Sequence, residues 1–263
     1  MPGHEEQIDY EAEFNARDQV PEHPAIFERW RAEAARYRAT APCELGLAFG
    51  KTARQAVDIF GDDVAGAPLA LFIHGGWWRA MERESFSHLA RGLNARGIAL
   101  AVTGYDLCPQ VTIGEIVEQM RAASRMLARR RGGRIVAFGH SAGGQLAAVL
   151  ASTMPDAVAA RLAISGVFDL TPLIHTSMNA DLGLDADTAR ALSPLHMPPA
   201  PFDCVVGGLE SNAFKAQSRA LAQAWGASYL EIDGANHFTV LDPLCDPDSA
   251  MVARLAEICA RYS

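Results

Sequence analysis

The stretch Gly139-His140-Ser141-Ala142-Gly143-Gly144 constrains this chain more than any other. It follows the apolar run Ile135-Val136-Ala137-Phe138 and precedes the helix-forming run from Gln145 to Ala151. A strand, a very tight turn and a helix therefore follow one another, with a serine at the apex. Glycine two residues before and two after the serine lets the backbone bend sharply without a Cβ clash. The serine oxygen then stands clear of the sheet edge, with a helix N-terminus beneath it. A Gly-x-Ser-x-Gly turn of this kind implies attack on carbonyl carbon.

A serine hydroxyl is a weak nucleophile at neutral pH and needs a base, which in turn needs an orienting acid. For a nucleophile at such a turn the chain order is serine, acid, histidine. His237, in Asp233-Gly234-Ala235-Asn236-His237-Phe238, follows the last strand candidate and is the expected base. The acid is expected one strand earlier, where Gly207-Gly208-Leu209-Glu210-Ser211 contains a single carboxylate, Glu210. Asp169 after the preceding strand competes for that role, as do Asp233 and Asp242 near the histidine. Glu210 also has a purely structural alternative, N-terminal capping of the helix that begins at Asn212. His140 is not expected to be the base, because a side chain next to the apex serine points away from its oxygen.

A second motif, His74-Gly75-Gly76-Trp77-Trp78, follows the strand candidate Leu69–Ile73. The oxygen of a tetrahedral intermediate carries negative charge and needs backbone N–H groups already aimed at it. Gly75 and Gly76 allow such groups to turn inward. The N–H groups of Gly76 and Trp77, with that of Ala142, are the expected oxyanion hole, and His74 is expected to brace the loop. Trp77, Trp78, Phe168 and Phe238 flank these residues in sequence and are expected to line an apolar acyl pocket. His175 is the expected substrate contact from the segment between 166 and 201.

The rest of the chain reads as strands alternating with helices. The strand candidates are Glu44–Phe49, Gln55–Phe60, Leu69–Ile73, Ile98–Thr103, Arg134–Phe138, Leu162–Ser165, Asp203–Val206 and Ser228–Ile232. The helical stretches are Pro24–Ala39, Ser85–Arg96, Ile113–Arg131, Ser141–Ser152, Asn212–Trp225 and Asp248–Tyr262. Alternation implies right-handed crossovers and an α/β architecture, a mostly parallel eight-stranded sheet with helices on both faces. Residues 24–39 are expected to form an N-terminal cover helix, and residues 1–23 to drape over the surface. A structureless loop of roughly 35 residues is rare, so 166–201 is expected to hold short helices and act as a small lid. The whole of 1–263 then makes one domain.

The net charge of -8 argues against nucleic acid as a partner. Arg129-Arg130-Arg131 ends a helix and complements its dipole. The five cysteines are scattered and lack metal-ligand spacing, which suits buried thiols in a reducing compartment and argues against structural zinc. No run is long and apolar enough to cross a bilayer, and the N-terminus lacks a signal-type apolar core, so a cytoplasmic chain is expected. The oligomeric state, a homodimer included, stays open.

These motifs together resemble the kynurenine formamidases (arylformamidases), α/β hydrolases related to the hormone-sensitive-lipase-like esterases. Residues 74–78 match that family's His-Gly-Gly-x-Trp, and 139–143 resemble its nucleophile turn. Tyr105-Asp106-Leu107-Cys108-Pro109, Ser165-Gly166-Val167-Phe168-Asp169-Leu170, the helix start Ser211 to Ser218 and Asn236-His237-Phe238 are similar to further segments of the family. The resemblance runs from about residue 70 to residue 240. It implies an α/β-hydrolase fold, a triad of Ser141, Glu210 and His237, no metal or organic cofactor, and a small-molecule formamide as substrate. Animal members of the family carry aspartate where this chain has Glu210, which leaves the triad intact in kind. A general carboxylesterase would use the same residues, and a catalytically inert hydrolase fold that only binds a ligand is the alternative from another class.

Overall fold

The computed structural model describes residues 8–62, 67–159 and 162–262. Residues 1–7, where the N-terminal expectations partly fall, lie outside the described residues. The strands are β1 (Cys43–Ala48), β2 (Ala56–Phe60), β3 (Leu69–Ile73), β4 (Ala99–Thr103), β5 (Val136–His140), β6 (Leu162–Ile164), β7 (Asp203–Gly207) and β8 (Ser228–Ile232). They form one eight-stranded sheet in the order β1-β2-β4-β3-β5-β6-β7-β8. β1 and β2 run antiparallel to their neighbours, and all remaining pairs are parallel. Every residue of β2, β3, β4 and β5 is buried. Adjacent residues of a strand face opposite sides, so both faces of the central sheet are covered, as parallel strands require.

The helices are α1 (Tyr10–Phe14), α2 (Ala16–Gln19), α3 (His23–Thr40), α4 (Ala90–Asn94), α5 (Ile113–Arg131), α6 (Ala142–Thr153), α7 (Asn179–Leu182), α8 (Ala186–Ala191), α9 (Asn212–Trp225) and α10 (Ala250–Tyr262). α5 shows why its residues make a helix. Thr112 and Glu115 close a reciprocal capping box at its start, and Gly132 at φ 73° ends it in the left-handed region. Its terminal arginines do more than face the dipole: Arg130 pairs with Glu44 at 2.7 Å, and Arg131 pairs with Asp62. The expected helix Ser85–Arg96 is instead a 3₁₀ segment, Arg83–Leu89, that runs into the short α4.

The interval 166–201 holds two 3₁₀ turns, Thr171–His175 and Pro194–His196, with α7 and α8 between them. Residues 8–23 do not simply drape. Phe14, Ala16 and Val20 are buried. The ring of Phe14 meets Trp77 and Phe214 edge-on, with centroids 6.0 and 5.7 Å away. Apolar burial explains the departure: Phe14, with Tyr10 stacked on it at 6.3 Å, anchors two short helices over the carboxyl ends of the strands.

The candidate active site

Sheet pairing assembles the site. β3 lies beside β5 with Ile73 opposite Gly139, so the loop after Ile73 emerges next to Ser141. β5, β6, β7 and β8 are consecutive neighbours, and their carboxyl ends deliver Ser141, Ser165, Glu210 and His237 in turn. The Ser141 N–H donates to the Ile164 carbonyl at 2.9 Å, and the Ser165 N–H to that of Val205 at 2.7 Å. This is the crevice outside the strand ends where sheets of this type bind ligands.

Ser141 has φ 54° and ψ −121°, a backbone conformation that L-residues rarely adopt. The neighbouring glycines make it attainable. A Cβ on Gly139 would stand 2.2 Å from the Gly143 carbonyl oxygen, and one on Gly143 would stand 2.0 Å from that of Ile73. Only hydrogen at these positions lets strand, turn and helix pass so closely.

Oε2 of Glu210 lies 2.6 Å from Nδ1 of His237. Oε1 of the same carboxylate accepts from the Gly207 N–H at 2.6 Å and from the Ser165 hydroxyl at 2.5 Å. Glu210 and His237 are both buried. The competing carboxylates are engaged elsewhere. Asp169 accepts from the N–H and hydroxyl of Thr171, Asp242 pairs with Arg29, and Asp233 is exposed. Ser141 and His237 line one cavity of about 40 Å³ with Gly75, Gly76, Trp77, His140 and Phe238. A larger cavity of about 740 Å³, between α1 and α9, contains neither Ser141 nor His237.

The loop after β3 is held by its own side chains. His74 is fully buried, its Nδ1 donates to the Gly75 carbonyl at 2.7 Å, and its ring stacks 4.3 Å from that of Tyr105. Burial pushes the His74 imidazole down to about 4, so it is neutral. Trp77 and Trp78 both have positive φ, 53° and 54°. His140 turns its Nε2 to the His237 carbonyl at 2.7 Å, which braces the turn that carries the imidazole. Burial, then the neighbouring His237, holds His140 well below the usual histidine range.

Three expected pocket residues lie elsewhere. Trp78 is fully buried and its indole N–H donates to Gln145 at 3.2 Å, tying the loop to α6. Phe168 is buried against Phe202, and its N–H donates to the Gln217 side chain at 2.8 Å. Both fill core instead of pocket, because nearness along the chain does not fix the face of the sheet. His175 is exposed and lines none of these cavities. Trp77 and Phe238 do line the small cavity. Ser165, His140 and the N-terminal helices were not expected at the site. Ser165 shares the resemblance segment 165–170, the one sequence signal that marks it.

Among the described residues no helix is long and apolar enough to cross a membrane. The family model for the alpha/beta hydrolase fold matches residues 70–230. A solved structure of a thioesterase candidate from Silicibacter sp. TM1040 is 36% identical, covers 94% of this chain and 98% of its own, and superposes with a TM-score of 0.88. The kynurenine formamidase of Salmo salar is 24% identical over 259 residues, 89% of this chain and 87% of that protein. That of Drosophila melanogaster is 28% identical over 225 residues, 74% of this chain and 75% of that protein. The serine at a strained strand-to-helix apex thus sits within a family match that spans most of the sheet, and the chain belongs to the α/β-hydrolase-fold family as a hydrolase similar to the kynurenine formamidases.

Proposed function

We propose that this chain is a serine hydrolase of arylformamidase type, releasing formate from an aryl formamide such as N-formylkynurenine. One observation carries the reading: the imidazole of His237, paired at 2.6 Å with the buried carboxylate of Glu210, lines the same 40 Å³ cavity as the apex serine. That space admits only a few water-sized groups, which suits a formyl carbon better than a long acyl chain. The relatives named kynurenine formamidases support the substrate class.

In this mechanism Ser141 Oγ adds to the formyl carbon as its proton passes to Nε2 of His237. Glu210 holds Nδ1–H and stabilises the imidazolium that forms. The N–H groups of Gly76, Trp77 and Ala142 receive the oxyanion. The C–N bond breaks as His237 returns the proton to the leaving nitrogen. Water then adds to the formyl-enzyme, its proton taken by His237, and formate leaves with Ser141 restored.

Residues 1–263 act as one domain in this reading, with α3 as a cover and 166–201 as a small lid. Support for the lid comes from Ser177, Met178 and Asp181, which wall a chamber beside the site. The cysteines form no disulfide among the described residues, and such a set suits the reducing cytoplasm.

A second reading, hydrolysis of short acyl esters or thioesters, is favoured by the 36% identical thioesterase candidate. Steady-state kinetics on N-formylkynurenine, a phenyl ester and a short acyl thioester decide between them. The formamide is expected to have the highest kcat/KM, with Ser141→Ala abolishing all turnover. A formamide rate orders of magnitude below the esters overturns the formamidase reading. Inertness to every substrate and to fluorophosphonate labelling overturns the hydrolytic one.

A further inference from the structure

Arg17 stands out among the residues around the nucleophile. The small cavity is lined by Phe27, Trp77, Phe86 and Phe238 together with Ser141 and His237, and among the described residues Arg17 is the one lysine, arginine, aspartate or glutamate in its wall. Its guanidinium carbon lies 5.8 Å from the centre of the Phe27 ring. Among the described residues it has no carboxylate partner.

The same residue borders a second chamber. A cavity of about 320 Å³ adjoins the first around Trp77, and Arg17, Gly76 and Trp77 line both. The other charged groups of that chamber are held by neighbours, one ion pair and one carboxylate hydrogen-bonded by a serine. Arg79 pairs with Asp181 at 2.6 Å, and both oxygens of Glu11 accept from Ser177, at 2.7 and 2.8 Å. Arg17 is therefore the cation left over at the junction of a small reaction space and a roomier outer chamber.

Its position is fixed from two sides. The Arg17 carbonyl accepts from Nδ1 of His23 at 3.1 Å, and the adjacent Ala16 is buried. The guanidinium is presented by a backbone that Phe14 and Ala16 anchor to the fold. An arginine fork matches a carboxylate in two parallel hydrogen bonds, and a flanking aromatic ring favours a planar group beside it.

We propose that Arg17 is a specificity-determining residue that binds an anionic group, a carboxylate, on the leaving-group side of the scissile bond. The acyl carbon sits in the 40 Å³ space, and the aromatic leaving group passes Trp77 into the 320 Å³ chamber. Its carboxylate meets Arg17 at the boundary between the two. Substrates of this hydrolase are then aryl formamides or aryl esters whose amine or alcohol portion carries a carboxylate. The proposal rests on the serine-hydrolase reading above and deepens it, and it holds for either scissile bond.

Two matched substrate pairs test it on the full-length protein. The first is N-formylkynurenine and its carboxamide; the second is an aryl acetate bearing a propionate side chain and the corresponding primary amide. The wild type is expected to favour the carboxylate member of a pair by roughly tenfold in kcat/KM, chiefly through KM, the lower range for a charge-assisted bond at an exposed arginine. In Arg17→Gln the ratio within a pair should collapse towards one, and Arg17→Lys should restore part of it. Added salt should raise KM for the carboxylate member of the pair. Equal losses on charged and neutral members, or a preserved ratio in Arg17→Gln, would overturn the assignment. If the ester pair turns over and the formamide pair does not, the formamidase reading fails while the ester ratio still decides the role of Arg17.

Discussion

The hydroxyl of Ser165 donates to Oε1 of Glu210 over 2.5 Å, while Oε2 of that carboxylate faces Nδ1 of His237 at 2.6 Å. One buried carboxylate is thus held from behind by the serine that follows β6 and presented forward to the imidazole. Ser165 itself sits at φ 53°, a conformation held by the strand ends on either side of it. Ser165→Ala removes one of three hydrogen bonds to the carboxylate and leaves its charge in place. We expect kcat to fall by roughly tenfold with KM little changed, because the carboxylate acts through the imidazole. A rise in KM alone would show that Ser165 serves the substrate.

The assignment of the acid makes a sharper contrast. Glu210→Gln keeps size and loses the charge that stabilises the imidazolium, so kcat should fall by about 10³–10⁴. Asp169→Asn should cost far less, since Asp169 closes a local turn with Thr171. Single-turnover rates at one pH measure both, and a larger loss in the Asp169 variant would exchange the two roles.

Gly75 is the position where one methyl group reaches the nucleophile. A Cβ there would stand 2.9 Å from both the His140 carbonyl oxygen and the Ser141 Cβ. Gly75→Ala must displace the apex or the loop after β3, the proposed oxyanion loop. We expect kcat to fall by about 10²–10³, the usual loss when an oxyanion donor is misplaced. Circular dichroism should stay native, and burst labelling of Ser141 by a fluorophosphonate should slow in parallel with turnover. Normal labelling with slow turnover would place the damage after acylation.

Much of this was legible in the sequence, and the gaps have physical causes. The serine, the acid and the histidine sit at strand ends, where glycine spacing and chain order carry the signal. β5 extends to His140, two residues past the expected Phe138, because Gly139 and His140 still pair with Ala163 and Ile164. Phe86, Leu89 and Leu93 suit a 3₁₀ turn as well as an α-helix, so their spacing could not separate the two. Ser165 carries no periodicity, and its partner lies 45 residues away. Phe14 lies in a mostly polar stretch, and its contacts Trp77 and Phe214 are distant in sequence. Trp78 and Phe168 lie close along the chain to Trp77 and Ser165 at the candidate site, yet their side chains turn into the core.

Trp78 and Phe168 should accordingly govern stability and leave selectivity alone. Truncating either to alanine opens a cavity in a fully buried site and should cost about 3–5 kcal/mol. The milder Trp78→Phe and Phe168→Leu keep enough volume to fold. Their ratios of kcat/KM between formyl and acetyl substrates should match the wild type, whereas Trp77→Leu should change that ratio. A shifted ratio in Phe168→Leu would return that ring to the pocket wall.

Stability should fall on mild acidification, and His88 offers a way to see why. His88 is buried, its Nδ1 has no hydrogen-bond partner among the described residues, and Glu33 and Cys245 stand beside it, the three ligand-type atoms within 4.8 Å of one another. Burial, then the positive charges of Arg91 and Arg29, pushes its imidazole down to about 4, and burial does the same to His74. An unfolded histidine titrates near 6.5, so between that pH and about 4 the unfolded chain binds protons that the folded chain refuses. Each such histidine should therefore remove about 1.4 kcal/mol of stability per pH unit across that window, and nothing above it. His88→Leu replaces an unpartnered buried nitrogen by carbon and should leave stability at pH 7 level or raised. Urea unfolding at pH 7, 6, 5 and 4.5 should show a slope shallower than wild type by one proton's share. Parallel curves for the two proteins would mean that the imidazole of residue 88 takes up its proton in the native state as readily as in the unfolded one.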